Sequence, residues 1–99
     1  MSESEFEALF ERYPAVIAQM EETFTSHHFI LCLAQQNQRA YIEALGHYLD
    51  VDAPFKALHS VLARHLHDYP ELVELVRRDA PSRDIFGQSG TCAEWRRLR

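Results

Sequence analysis

The first residues of the chain carry apolar side chains at helical spacing. Ser2 and Glu5 form a capping-box pattern, which satisfies free backbone N–H groups at a helix start. The apolar residues that follow recur at intervals of three or four: Phe6, Leu9, Phe10 and Tyr13. Pro14 interrupts the pattern, but proline is tolerated in a first helical turn, so residues 14–22 can begin a second helix. Residues 3–22 are therefore either one kinked helix or two.

The strongest periodic signal lies between Thr25 and Leu49. With Ser26 or Thr25 as the N-cap, the spacing predicts one helix over about residues 26–49, roughly 36 Å long at about 1.5 Å per residue. The predicted inward face consists of Ile30, Leu33, Ala34, Asn37, Tyr41, Ala44, Leu45 and Tyr48. A helix of this length is expected to be the centre of the domain.

The next segment predicts a third main helix, capped by Asp52 and with Pro54 in its first turn. Its buried stripe is predicted to be Phe55, Leu58, Val61, Leu62, Leu66 and Tyr69. Pro70 then breaks the pattern. Residues 70–79 place acidic side chains early and arginines late, as the helix dipole favours, so they predict a short helix that Pro81 ends.

The C-terminal segment, residues 82–99, predicts a helical turn followed by a last helix. Ser82 caps the turn, Gly87 ends it, and Thr91 with Glu94 forms another capping box. Glycines and prolines are too few for an all-β fold with many short strands. We therefore predict an all-α fold, a compact irregular bundle of five or six helices around the long helix 26–49. Residues 1–99 would form one domain, with 82–99 docked on it as a turn and helix.

The charge pattern bears on the binding partners of the protein and not on its fold. The formal net charge is −5, which does not favour nucleic acid or an anionic membrane as a partner of the whole chain. Residues 1–52 carry nine acidic residues against two arginines, a balance of −7, whereas residues 53–99 carry six acidic against eight basic residues, a balance of +2. This asymmetry predicts either solvated helix faces or electrostatic docking to a protein partner, including a second copy as a homodimer.

Neither a signal peptide nor an apolar run of membrane-spanning length is evident in the sequence. We therefore expect a cytoplasmic protein that does not insert into a membrane.

The histidines and cysteines do not add up to a metal or catalytic motif. His28 and Cys32 have the i,i+4 spacing that can place two ligands on one metal, but no motif supplies the remaining ligands. Cys32 lies in an apolar helical stretch and is expected to be a core residue. Cys92 lies at a predicted helix start, which lowers a thiol pKa, but it has no evident partner base. The sequence therefore predicts no metal, no cofactor and no enzymatic activity.

The polar segment "AQQNQR" interrupts the predicted long helix. Asn37 falls on its inward face, where an unpaired amide is costly. It is either hydrogen-bonded in the interior, or the segment faces a partner. In the second case Gln35, Gln38 and Arg39 are the predicted partner contacts.

The order of residues in Ser82–Arg99 is similar to that of a short helix–turn–helix, with Gly87 in the turn and Thr91 and Trp95 on the second helix. In that alternative, the nucleic-acid contacts are Arg83, Arg96, Arg97 and Arg99. The first helix would be only about one turn long, and an acidic residue would share the arginine face. The other interpretation is an anchor, in which Ile85, Phe86 and Trp95 dock this segment on the bundle.

The leading hypothesis is therefore a small non-catalytic cytoplasmic helical domain, an adaptor or regulatory module that acts through protein–protein contacts. The alternative is a nucleic-acid-binding regulator that uses the segment Ser82–Arg99.

Overall fold

The computed structural model describes the backbone of residues 2–98 and the side chains of residues 6–98. Five α-helices, one 3₁₀ turn and three strands follow one another along the chain: α1 (Ser2–Phe10), α2 (Tyr13–Ile17), β1 (Thr23–Thr25), α3 (Ser26–Gln36), α4 (Gln38–Gly46), α5 (Pro54–His65), the 3₁₀ turn Leu66–Asp68, β2 (Val73–Arg83) and β3 (Ser89–Arg97). The N-terminal segment thus forms two helices, with Pro14 in the first turn of the second.

The prediction of an all-α helical bundle is wrong, because the C-terminal quarter of the chain is a β-hairpin. The three strands form one antiparallel sheet in the order β1-β3-β2. The fold is therefore mixed α/β. Neither the short helix predicted over residues 70–79 nor the final helix after Thr91 is formed.

The alternation of side chains explains why residues 73–83 form a strand. Val73 is buried and Leu75 half-buried on the core side, whereas Glu74 between them is exposed. This alternation ends after three residues, because the register with β3 shifts between Leu75 and Arg77 and again before Ala80. The helical prediction rested on the order of charges in residues 70–79, acidic before basic, and the pairing with β3 overrides that local preference.

The predicted helix 26–49 is also wrong, because it is divided at Asn37. Asn37 has a non-helical backbone, with φ −138° and ψ 56°, and separates α3 from α4. Its side-chain amide donates a 3.0 Å hydrogen bond to the carbonyl oxygen of Leu33. The predicted N-terminus is confirmed in Thr25, whose hydroxyl accepts a hydrogen bond from the backbone N–H of His28.

The hydrophobic core lies between the helices and one face of the sheet. Its largest fully buried side chains include Tyr13, Phe29, Leu58 and Leu62. The Tyr13 hydroxyl donates a hydrogen bond to the carbonyl oxygen of Leu62, which ties α2 to α5. Burial strongly raises the pKa of Tyr13, so this hydroxyl keeps its proton.

Trp95 is the largest side chain that the sheet contributes to this core, beside Phe24 of β1 and Val73 of β2. It is only 2% exposed, on the central strand β3 and not on a helix. Of the other two residues predicted to anchor the segment, Ile85 is half-buried but Phe86 is 58% exposed.

No helix among residues 2–98 is long and apolar enough to cross a membrane.

Candidate binding site

A cleft of about 640 Å³ lies where three parts of the fold meet. The start of α3 forms one wall, α5 with the loop before it forms the second, and the turn between β2 and β3 forms the third. Its volume is within the usual range of ligand sites, roughly 300–1,000 Å³. The cleft is therefore large enough to hold a small ligand or a short segment of a partner.

Three ring side chains stand along the cleft and touch one another; we call Phe55, His59 and Phe86 the aromatic rim. The rings of Phe55 and Phe86 meet edge to face with their centroids 4.7 Å apart. His59 lies 6.0 Å from Phe55 and 6.5 Å from Phe86, nearly parallel to the latter. Phe55 is 42% exposed although it belongs to the predicted buried stripe of its helix. The rim therefore leaves two large aromatic side chains in contact with solvent.

The position of Phe86 depends on a tight turn at the tip of the hairpin. The backbone N–H of Gly87 donates a 2.9 Å hydrogen bond to the carbonyl oxygen of Asp84, and Gly87 has φ +85°. This left-handed conformation favours glycine, as in three-residue hairpin loops that end in a bulge. Gln88 closes the loop, because its carbonyl oxygen accepts from the backbone N–H of Asp84. The turn thus holds Phe86 at its apex.

The carboxylate of Asp84 is fixed by the same turn. Its Oδ1 accepts hydrogen bonds of 2.9 Å from the backbone N–H groups of both Phe86 and Gln88. The bond from Gln88 and that from Phe86 lower the pKa of Asp84, as do His27 and His59 in the acidic range where they are protonated, although burial acts to raise it. Asp84 is therefore a fixed negative charge at one wall of the cleft.

His59 is held from behind by Tyr41. The Tyr41 hydroxyl and the Nε2 atom of His59 are 2.7 Å apart. Burial raises the pKa of Tyr41, so its hydroxyl keeps the proton that it can donate to Nε2. Burial, together with the nearby His27, lowers the pKa of His59, and the opposing effect of Asp84 is smaller. At neutral pH His59 is an uncharged ring.

His27 stands on the opposite wall. Its Nδ1 atom lies 3.1 Å from the hydroxyl oxygen of Ser82, which in turn lies 3.4 Å from that of Thr25. These contacts connect the start of α3 to the end of β2. Among the described residues, the Nε2 atom of His27 has no hydrogen-bond partner.

The cysteines and histidines of the sequence analysis do not assemble in one place. Cys92 is half-buried and lines the cleft from β3, not from a helix start. Cys32 is half-buried on α3, and burial raises the pKa of its thiol. Within residues 6–98, no three His, Cys, Asp or Glu side chains are grouped so that they could hold a metal ion.

The amide-rich segment lies apart from the cleft. Gln35, Gln38 and Arg39 are all exposed, and Gln38 and Arg39 line a groove of about 410 Å³ together with Arg12 from the segment between α1 and α2. Gln35 lies outside this groove and accepts a hydrogen bond at its carbonyl oxygen from the side chain of Gln38. Their role as partner contacts stays a prediction.

The helix–turn–helix interpretation of Ser82–Arg99 is wrong, because the segment pairs as strands. Arg83 donates to the carbonyl oxygen of Gly87, Arg97 donates to that of Met20, and Arg96 forms an ion pair with Glu74. Arg99 lies outside the described residues. The three described arginines that were predicted as nucleic-acid contacts, Arg83, Arg96 and Arg97, thus make contacts within the protein.

Sequence reasoning missed the aromatic rim and Asp84. One signal was available in "RDIFGQS", where an Asp and a Gly three residues apart are typical of a hairpin turn between two strands. The pairing of Phe86 with Phe55 could not be found in this way, because it depends on how the hairpin packs across α5.

In comparisons with known proteins, no family model, no curated protein and no solved structure matches this chain.

Proposed function

We propose that the protein is a small non-catalytic cytoplasmic binding module that acts through protein–protein contacts, and that a segment of its partner docks in the cleft beside the aromatic rim. The supporting observation is the exposed, edge-to-face pair of Phe55 and Phe86, 4.7 Å apart at the mouth of the cleft. The two residues come from distant parts of the chain, and their contact brings a concave, partly apolar surface to the outside.

The energetics of interfaces favour this use of the rim. Aromatic side chains, phenylalanine among them, are enriched in the cores of protein–protein interfaces relative to the rest of the surface. The backbone of Phe86 is already fixed by its turn, and that of Phe55 by its helix. Binding of a partner would therefore cost little conformational entropy at these two residues.

The partner in the cleft is proposed to be a different protein, because the edges of the sheet do not favour a homodimer that pairs strand to strand. The β1 edge is only three residues long, and the β2 edge carries two register shifts, charged side chains and Pro81. These features discourage edge-to-edge pairing between sheets. Homodimers formed through other faces remain an outcome of the experiment below.

Site-specific photocrosslinking tests the proposal. A photoreactive phenylalanine analogue is placed at position 86, and in a matched control at Ile42, which is 63% exposed and lies outside the cleft. We expect a discrete crosslinked protein at position 86 but not at position 42. That protein is then purified, and its dissociation constant is measured for wild type, Phe86→Ala and Ile42→Ala.

We expect Phe86→Ala to weaken binding about tenfold or more, as for a central interface residue, and Ile42→Ala to change it by less than about twofold. Equal crosslinking at both positions, no crosslink at 86, or an unchanged affinity for Phe86→Ala contradicts the proposal. A crosslinked product of two copies of this chain, confirmed by analytical ultracentrifugation, contradicts the choice of a different protein as partner.

A further inference from the structure

We infer that the partner segment presents a cationic side chain, arginine or lysine, to the cleft, where it lies against the aromatic rim and pairs with Asp84. The inference rests on the proposed function and adds the chemistry of its partner. It combines two independent features of the cleft: an exposed aromatic pair, and a carboxylate fixed beside it.

The aromatic pair supplies the first half of a cation site. The face of a phenylalanine ring is electron-rich and attracts an ammonium or guanidinium group within about 6 Å of its centre. In an edge-to-face pair the positive edge of one ring points at one face of the other, so the contact does not cover the faces of the edge-on ring or the outer face of its neighbour. Both rings are more than two-fifths exposed, at 42% for Phe55 and 58% for Phe86.

Asp84 supplies the second half. Its Oδ1 takes both backbone hydrogen bonds of the turn, whereas its Oδ2 accepts no hydrogen bond from the described residues. The carboxylate is therefore held in place with one oxygen open. A cation that approaches it meets a group that is already ordered, so the charge-assisted hydrogen bond costs little entropy.

The other charged groups of the cleft leave it weakly acidic. Asp52 from the loop before α5 also lines it, and among the described residues that line the cleft Lys56 on α5 is the one permanent positive charge. His27 and His59 face the same space, and His59 is uncharged at neutral pH because burial lowers its pKa. The formal charge of the whole chain is −5, which further favours a basic segment over an acidic one.

The decisive probe is a pair of capped pentapeptides that differ only in a central arginine or citrulline. Citrulline has nearly the shape of arginine but no charge. The full chain, labelled with ¹⁵N, is titrated with each peptide at low ionic strength and pH 7.5, and amide shifts are followed by NMR. We expect the arginine peptide to move the resonances of Phe55, His59 and residues 84–88, and to bind about three- to tenfold more tightly than the citrulline peptide.

Two variants of matched charge test the role of Asp84. Asp84→Asn keeps an oxygen that can accept the two backbone hydrogen bonds, so the turn is retained while the charge is lost. Glu11→Gln removes the same charge from an exposed position outside the cleft. We expect Asp84→Asn to lower the affinity for the arginine peptide about threefold or more, and to leave the affinity for the citrulline peptide unchanged. Glu11→Gln should alter neither by more than about 1.5-fold.

The inference is overturned if neither peptide moves the cleft resonances, if both bind equally, or if Asp84→Asn and Glu11→Gln behave alike. These outcomes are distinct from a failure of the proposed function. If the crosslinked partner loses affinity with Phe86→Ala while the two peptides bind alike, the protein-binding function stands and its cationic specificity fails. If the arginine peptide binds in the cleft but the partner binds Phe86→Ala as tightly as wild type, the cleft takes a cation and the proposed protein-binding function fails.

Discussion

The indole Nε1 of Trp95 donates a 3.0 Å hydrogen bond to the hydroxyl oxygen of Ser26, the first residue of α3. Both residues are buried, with exposures of 2% for Trp95 and 1% for Ser26. The bond joins the central strand of the sheet to the helix start that forms one wall of the cleft. A buried indole N–H needs such a partner, because leaving it unpaired costs free energy.

This bond predicts coupling between the two side chains. We expect Ser26→Ala to lower the free energy of unfolding by about 1–3 kcal/mol, because it leaves the indole N–H buried without an acceptor. Trp95→Phe removes the donor and part of the ring, so the serine substitution should cost about 1 kcal/mol less when both are made. Urea unfolding of the wild type, both single variants and the double variant measures the coupling. Additive losses would show that the bond contributes no net stability.

A second prediction concerns the turn that carries Phe86. Gly87→Ala should lower the free energy of unfolding by about 1–2 kcal/mol, because alanine is strained at φ +85°. A methyl group at this position would meet no atom within 4 Å, so the cost is purely conformational.

Gly90→Ala is the matched control for this effect. Gly90 lies in β3 without a positive φ, and a methyl group there also meets nothing within 4 Å. We expect the free energy of unfolding of Gly90→Ala to remain within about 0.5 kcal/mol of wild type. Equal losses in the two variants would contradict the assignment of the strain to Gly87.

The helices and the sheet differ in how far local sequence determines them. Thr25 was one of the two helix caps predicted from sequence, with Ser26 the other, because a cap and its first turn are close in the chain. Asp52 was predicted to cap α5, but the N-cap is Ala53, which makes no side-chain hydrogen bond. The strands depend on partners far along the chain: Val73 pairs with Arg97, 24 residues away, and Thr23 pairs with Arg96, 73 residues away. Only part of that information is present in any local window.

The site was less predictable than the fold, for a related reason. Phe55 lies on the apolar stripe of its helix, where periodicity indicates burial, yet it remains exposed because the hairpin leaves a cleft in front of it. Asp84 lies in the segment that was predicted as a helical turn, whereas its carboxylate is fixed by the hairpin turn that forms there instead. Exposed apolar residues on a predicted buried stripe identify such a site only when the packing of the neighbouring elements is known.

A third prediction follows from the pKa of His59, which burial lowers below its unfolded value of about 6.5. Between these two values the unfolded state binds more protons than the folded state. The free energy of unfolding must therefore fall as the pH drops from about 6.5 through the folded pKa, and rise again as the pH is raised.

Urea unfolding of wild type and His59→Gln between pH 7.5 and 5 measures this contribution. We expect the variant to lose less stability than wild type on acidification. Some dependence should persist, because burial also lowers the pKa of His65 despite its 3.0 Å contact with Asp68. Identical pH profiles would show that His59 is not the group responsible.

The outer face of the hairpin gives the last prediction. Glu74 pairs with Arg96, and Arg77 with Glu94, each at 3.0 Å between directly opposed positions of β2 and β3. Arg96→Glu brings like charges together across the strands and should cost about 0.5–1 kcal/mol of unfolding free energy at low salt. Adding Glu74→Arg restores an ion pair of reversed polarity and should recover most of that loss.

Urea unfolding at low salt and at about 1 M sodium chloride measures both effects, because salt of that concentration screens exposed charges beyond about 3 Å. The loss caused by Arg96→Glu should shrink at high salt, and the recovery should shrink with it. A loss that the reversed pair does not recover, or that salt does not reduce, would mean that Arg96 stabilises the hairpin by packing its alkyl chain and not by its charge.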